Sequence, residues 1–246
     1  MIKVYSVEKV FRAFLEIVGS HFKGRAYKID PGIPLSSMLG LIFTRLGGIL
    51  RCVAYGIAFR PSKLLFIESG VVLKNRRLLK LGRGVTLGKN VMINGLSRKG
   101  VVLCDGVNLG PYTIIEATGV VTNLGEGVYI GKSSGIGGFS YIGGAGGVTI
   151  GENVIMGQYV SFHSENHISD DVVVPIKFQG VTRKGIVIED DCWIGAKVTF
   201  LDGAHVGRGC IVAAGSVVRG SIEKYSIAAG VPATVIRTRK ESSSGC

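Results

Sequence analysis

The sequence predicts an all-β solenoid, a chain that turns a corner about every six residues and stacks each turn on the last. Three observations predict it. Counting in sixes from Ile188 gives Ile188, Ile194, Phe200, Val206, Val212 and Val218, all of them apolar. Four residues after each of the first five lies a small or slim residue: Cys192, Val198, Ala204, Cys210 and Ser216. Glycine is abundant, at 38 of 246 residues, while aromatic residues are only 8%. A period of six fits neither a helix, at about 3.6, nor a lone strand, at about 2. Collagen is excluded, because glycine does not recur at every third position and there are only 6 prolines.

The beat recurs upstream in other registers. Leu81, Leu87 and Ile93 form one run, and Leu103, Leu109, Ile115 and Val121 a second. Leu124, Ile130, Ile136 and Ile142 form a third, and Ile150, Met156 and Phe162 a fourth. In a prism of three hexads per coil, each of these residues points inward and stacks on its equivalents above and below. The slim position sits near a corner, where a large side chain would clash. One coil cannot bury its own inner face, so several must stack to make a continuous core. The solenoid is assigned to residues 70–222, after an N-terminal region 1–69 and before a C-terminal tail 223–246.

The N-terminal region is set apart by charge. Residues 1–100 hold 18 Lys or Arg against 4 Asp or Glu, and residues 101–246 hold 11 against 13. Val7, Phe11, Phe14, Leu15 and Val18 recur at helical spacing, which predicts a short amphipathic helix. Glu8, Lys9, Arg12 and Glu16 interrupt it, which argues against a secretory signal. From Pro31 to Thr44 the chain is uncharged, and further apolar stretches are broken by Arg45, Arg51 and Arg60. No uncharged apolar run reaches the roughly 18–20 residues of a membrane span. Two readings stay open: a cap over the first coil, and a peripheral membrane contact by apolar residues among arginines. Nucleic acid is not expected as a partner, since no aromatic or helix-turn-helix signature accompanies the charge.

The interruptions of the beat carry functional information. From Phe162 to Ile188 is 26 residues, not a multiple of six. Residues 163–185 are therefore predicted to leave the prism as a loop, and long loops are often functional. This loop holds His163 and His167, together with Glu165, Asp170 and Asp171. Smaller breaks fall at Gly143–Gly147 and Asn94–Val102. Of the cysteines Cys52, Cys104, Cys192, Cys210 and Cys246, two occupy the slim slot 18 residues apart. Cys192 and Cys210 read as small core residues, and with no CxxC pair a metal is not expected. A reducing, cytoplasmic compartment is the simplest setting, with the inner face of the membrane as its variant.

The hexads, the loop sequence Ser164-Glu165-Asn166-His167 and Pro175-Ile176, and Cys192-Trp193-Ile194-Gly195-Ala196 together carry a resemblance. So do Ala214-Gly215-Ser216-Val217-Val218, Ala229-Gly230-Val231-Pro232-Ala233 and Val235-Ile236-Arg237. The chain resembles the hexapeptide-repeat acyltransferases, especially bacterial sugar O-acetyltransferases of surface-polysaccharide synthesis, over about residues 70 to 238. The resemblance implies a left-handed parallel β-helix; the spacing itself does not, because parallel crossovers are normally right-handed. It implies acetyl-CoA as co-substrate and direct transfer to a sugar hydroxyl, with a loop histidine as general base. Histidine suits that role because its unperturbed pKa is about 6.5. His167, in its Asn-His context, is the expected base, ahead of His163.

An orienting carboxylate is expected at Asp171, while His163 and Glu165 are candidates for the acceptor side. The resemblance places acyl-CoA in a groove against Trp193, Gly195, Ala196, Ala214 and Gly215, with Ala196 and Ala214 one coil apart. Arg237 matches a basic position in the family's tail. Arg219 stands where relatives carry a lysine, a departure that bears on the phosphate contacts. The neighbouring subunit of a homotrimer is expected to supply the second wall of the groove. A carbohydrate acceptor, free or lipid-linked, completes the expectation. The competing readings are N-acetylation of an amino sugar, a zinc-binding solenoid of the carbonic anhydrase kind, and a non-catalytic solenoid.

Overall fold

The computed structural model describes residues 2–23, 26–54 and 64–239; Arg60 and Cys246 lie outside them. The chain folds as a left-handed parallel β-helix with a helical N-terminal region. Three parallel sheets form the faces of a triangular prism. Face A begins with Phe66–Ile67 and Thr86–Leu87, face B with Val72–Lys74 and Met92–Asn94, and face C with Leu79–Leu81 and Val101–Leu103. Each strand pairs in parallel with the equivalent strand one coil away, as Trp193–Ile194 does with Ile211–Val212.

Strands extend beyond the expected limits of 70 and 222. The first pairing, Phe66 with Thr86 and Ile67 with Leu87, precedes residue 70. The spacing from Leu73 to Leu81 is eight, so the six-residue count restarts there and hides the first coil. At the other end, Ser226–Gly230 joins face A and pairs antiparallel with Ala233–Thr238. The expected tail is thus a ribbon that continues one face.

The residues of the beat are the core. Ile188, Ile194, Phe200, Val206 and Val212 are fully buried, and Phe162 stacks on Phe200 with ring centroids 4.7 Å apart. Each such side chain contributes about 1.5–3 kcal/mol by leaving water. The slim residues Cys192, Val198, Ala204, Cys210 and Ser216 are buried too. Ser216 satisfies its hydroxyl by donating to the Ala213 carbonyl (2.8 Å) and accepting from the Gly230 amide (3.2 Å). Two expected inward residues are not in the core: Val121 is 80% exposed and Leu124 is half-buried. The chain leaves the prism after Glu116 and returns at Val128, so the hexad count does not run through that stretch.

All the long interruptions fall on one edge. They lie between faces B and C: after Asn94, after Glu116, after Gly143 and after His163. The edge between faces A and B is tight in every coil. Its turns carry a residue in the left-handed region, at Tyr112, Phe139, Tyr159 and Lys197 (φ about 60°). That conformation is unusual for bulky side chains. The three rings stack in series, Tyr112 on Phe139 at 4.9 Å and Phe139 on Tyr159 at 5.2 Å.

Two helices precede the prism, α1 (Ile2–Lys23) and α2 (Leu35–Ala54). The second half of α2 lies on the first strand of face A. A Cβ on Gly48 would stand 3.2 Å from the Ile67 nitrogen, a tight contact that a larger residue could make only by moving the helix a few tenths of an ångström outward. The Cys52 thiol donates to the Leu65 carbonyl (3.3 Å), and the Arg45 guanidinium lies 4.6 Å from the Phe66 ring centre. The helix covers a strand edge that would otherwise be free to pair.

Candidate functional site

The 163–185 loop rises from the B–C edge on two anchored feet. At the outgoing foot, the buried Ser164 hydroxyl donates to the Gly143 carbonyl (2.7 Å) and accepts from the Gly146 amide (2.9 Å). At the returning foot, the Asp202 carboxylate accepts the amides of Lys184 and Gly185, both at 2.8 Å. Between them a short antiparallel hairpin forms, Asn166 opposite Thr182 and His167 opposite Val181. His167 is thus held on the neck of a hairpin. Arg183 braces that neck. Its guanidinium pairs with Glu165 (3.0 Å) and bonds the Asn123 side chain (3.0 Å) and Leu124 carbonyl (3.2 Å).

His163 ends the face-B strand below, and its ring lies 5.8 Å from that of Tyr141. The Tyr141 phenol is held above its usual pKa, first by burial and then by the charges of Glu116 and Glu165. Glu116 accepts from the Asn94 amide (2.5 Å), and Asn94 accepts from Asn75 (2.7 Å). The edge is therefore polar from coil to coil, with an imidazole, a phenol and two carboxylates close together. Tyr141, Glu116 and Asn94 were not expected from the sequence. Their proximity depends on coils of unequal length, and no fixed spacing marks it. Among the described residues, the His167 and His163 rings make no hydrogen bond.

Among the described residues, Asp171 forms no hydrogen bond with His167. Its carboxylate accepts the amides of Val173 (2.7 Å) and Val174 (3.1 Å) and is held below its usual pKa by them. The Gln179 side chain ties the same turn, donating to the carbonyls of Asp171 (2.7 Å) and Val174 (2.6 Å). A short carboxylate in a loop satisfies its nearest amides first. Asp171 shapes the loop tip, where Val172, Val173 and Phe178 are exposed.

A second feature lies on another edge. A groove of about 430 Å³ runs along face A and the A–B edge, lined by Gly157, Trp193, Gly195, Ala196, Ala213 and Ala214. Trp193 points outward at 56% exposure, while Ile194 next to it is buried. The small residues are required by the stacking. A Cβ on Gly157 would stand 2.6 Å from the Ala196 nitrogen, and one on Gly195 would stand 2.4 Å from that of Ala214. They also leave the groove's backbone bare. Lys197, exposed in the turn beside Ala196, is a cation the sequence reading missed. Its signal was its place two residues after a corner glycine. Gly215 occupies the equivalent left-handed position (φ 74°) one coil on. Arg219 is exposed just after face B, and Arg237 is exposed on the ribbon opposite Ile227.

Within one chain the groove and the His167 hairpin occupy different edges of the prism. Face B separates them in each coil. The structure groups Trp193, Gly195, Ala196 and Ala214 at the groove, and His163, Glu165 and His167 at the hairpin. It does not bring the two groups together.

Comparison with known proteins bears on this geometry. The bacterial transferase hexapeptide family (six repeats) matches residues 185–220. The chain is 34% identical over 171 residues to a protein of Mycobacterium tuberculosis named a probable acetyltransferase, covering 69% of this chain and 55% of that one. It is 35% identical over 97 residues to an Escherichia coli protein named for O-acetyl transfer in lipopolysaccharide biosynthesis, covering 37% and 50%. Over 75 residues it is 36% identical to the 2,3,4,5-tetrahydropyridine-2,6-dicarboxylate N-acetyltransferase of Staphylococcus aureus, covering 30% and 31%. The chain thus spans about half the length of the first two relatives.

Proposed function

We propose that this chain, which belongs to the bacterial hexapeptide-repeat transferases, is an acetyl-CoA-dependent O-acetyltransferase acting on a sugar hydroxyl. Its setting would be surface-polysaccharide or lipopolysaccharide assembly, in the cytoplasm. The observation that carries the reading is the pairing of an apolar small-residue groove with an imidazole held on a rigid hairpin. The groove suits a slim pantetheine arm, with Trp193 as one wall. Lys197, Arg219 and Arg237 are cations suited to phosphate oxygens.

In this reading His167 takes the proton of the acceptor hydroxyl as its oxygen attacks the thioester carbonyl. The tetrahedral intermediate collapses, the carbon–sulfur bond breaks, and the CoA thiolate leaves and recovers the proton. No acetyl-enzyme forms. The acceptor is proposed to lie along the B–C edge, where Tyr141, Glu116 and Asn94 offer hydroxyl-binding groups beside His163.

The separation of groove and hairpin makes a second copy of the chain part of the site. A contact that sets the groove edge of one prism against the hairpin edge of the next is head-to-tail and can close into a ring, and we propose a homotrimer with three shared sites. The exposed loop tip at Val172, Val173 and Phe178 is apolar enough to rest on a neighbour.

The test is transfer of labelled acetyl from acetyl-CoA to candidate glycans, comparing the native chain with His167→Ala. Full activity in that variant, with loss in His163→Ala, would reverse the assignment of the base. The relationship to an N-acetyltransferase keeps amino-sugar N-acetylation as a second reading. Hydroxylamine separates them, since it releases ester-linked acetyl and leaves amides. A non-catalytic solenoid predicts that CoA does not raise the melting temperature, whereas the enzyme predicts a concentration-dependent rise.

A further inference from the structure

We propose that the N-terminal helices dock the protein on an anionic phospholipid bilayer, lying in its interface without crossing it. The first observation is the orientation of α1. On its polar edge, the Arg12 guanidinium donates to the carbonyls of Pro31 (3.2 Å) and Ile33 (2.8 Å) and pairs with Glu8 (3.2 Å). Glu16 accepts the Ile29 amide (2.8 Å), and Ser20 accepts that of Tyr27 (2.9 Å). The charged edge of the helix therefore faces the 27–33 segment that leads to α2. Val10, Phe14 and Ile17, at 68%, 59% and 69% exposure, form one stripe facing away from it. A surface helix of a soluble protein has the opposite arrangement.

The second observation is α2. Met38, Gly48 and Cys52 are buried, but Leu39, Phe43, Leu46 and Leu50 recur at one angle of the helix and are exposed. A contiguous exposed apolar surface of this kind marks an interaction site.

The occupant follows from charge and from attachment. Residues 1–54, which carry both stripes, hold 8 basic against 3 acidic residues, and the first coils of the prism extend the excess to 18 against 4 over the first 100. Lys9 and Lys28 are exposed, and among the described residues neither forms an ion pair. A second copy would bring the same excess against itself, whereas an anionic membrane neutralises it. Crossing is disfavoured although Leu35–Cys52 is apolar enough, with mean hydropathy 1.3. Its C-terminal half is bound to the first strand through Gly48, Cys52 and Arg45, and Arg45 and Arg51 lie within the window. Apolar side chains under a basic rim describe an interfacial helix. Such docking would hold the prism beside a lipid-linked acceptor, but it does not depend on the proposed chemistry.

The experiment is co-sedimentation of the full chain with vesicles of phosphatidylcholine alone or mixed with phosphatidylglycerol. The expected result is binding to the mixed vesicles, weakened by salt and by omission of the anionic lipid. Joint substitution Phe14→Asp and Phe43→Asp is expected to lower partitioning roughly tenfold or more. Three results would overturn the proposal. The native chain stays in the supernatant with both vesicles; or the double variant sediments as well as the native chain; or the double variant changes only the oligomer mass, meaning that a second copy covers the stripe. Should the double variant fail to fold, Phe14→Trp in a Trp193→Phe background gives a second measurement. A blue shift of its emission on mixed vesicles supports docking, and unchanged emission refutes it. Vesicle binding is read without turnover, so failure here leaves the acetyl-transfer reading standing, and the converse holds.

Discussion

Arg183 grips Glu165 across the neck of the extruded hairpin, with Nη2 to Oε2 at 3.0 Å, and so ties the His167 strand to the 118–126 corner of the coil below. The arginine side chain is 16% exposed, so its five donors are spent on fixed protein partners. Replacing it with methionine keeps much of the packing but frees the neck. We expect Arg183→Met to lower kcat roughly tenfold to a hundredfold, because small misplacements of a base are costly, with KM for acetyl-CoA little changed. Hydrogen exchange at the His167 amide should quicken in parallel. Glu165→Gln, which still accepts a hydrogen bond, should be milder. Unchanged kcat in Arg183→Met would remove the bracing role.

The placement of groove and hairpin on different edges gives a complementation test. His167→Ala should lose roughly 10²–10⁴ in rate, the usual worth of a general base. Ala214→Trp should fill the groove and abolish the thermal shift with CoA, while its melting temperature reports whether it remains folded. If the site is shared between chains, co-expressing the two dead variants should restore activity, because some interfaces pair an intact groove with an intact hairpin. No recovery in mixed oligomers verified by mass would place both groups in one chain.

The repeat was legible because burial imposes it. Every apolar residue of the run from Ile188 to Val218 stacks on its equivalent a coil away, and any polar residue there would be stranded. Val121 shows the limit: it keeps the count of six after Ile115, although the chain has already left the prism there and re-enters out of that phase at Ile130. The small residues Gly195, Ala196 and Ala214 were legible for the same reason as the core, since they lie where stacked backbones meet, whereas their place in a groove was expected from the resemblance alone. The acceptor edge was not legible. Tyr141, Glu116 and Asn94 meet because loops of different length leave one edge, and such adjacency has no period. At Asp171 the spacing could not show that the carboxylate would accept the amides two and three residues on. At the N-terminus, helical spacing was visible in Val7, Phe11, Phe14, Leu15 and Val18, yet Phe11, Leu15 and Val18 are half-buried while Phe14 faces outward with Val10 and Ile17. Spacing gives the face of a helix, not what the face meets.

The buried thiols predict both a labelling pattern and an alkaline limit to stability. Burial pushes Cys192 up to about 11 and also raises Cys52 and Cys210. At pH near 8 iodoacetamide should modify Cys104, which is half-exposed beside the Tyr129 phenol (3.3 Å), and spare Cys52, Cys192 and Cys210 until denaturant is added, Cys246 lying outside the described residues. A raised thiol favours the neutral form in the fold. Its contribution is therefore full below the ordinary value of 9.0 and is lost as pH climbs toward about 11. Melting temperature should fall across that window, less steeply in Cys192→Ala. Rapid labelling of Cys192 in the folded chain would contradict its place in the core.

The stack of Phe162 on Phe200 joins the coils on either side of the extruded loop. Phe162 sits one residue before His163, and Phe200 lies in the strand paired with it. Both rings are fully buried at 4.7 Å, so no water stands ready to fill a void. Phe200→Ala removes the ring and leaves a cavity that the rigid coils close poorly, at about 3–5 kcal/mol. In a solenoid each coil touches only its neighbours, so the damage should be local. We therefore expect a lowered denaturant midpoint, together with hydrogen exchange faster at Ser161–His163 and Thr199–Leu201 than in the coils around Leu87 and Leu109. Phe200→Leu should retain most of the stability by filling part of the space. Uniform acceleration along the whole prism would instead show one cooperative unit, and would move the loop's support from this pair to the fold as a whole.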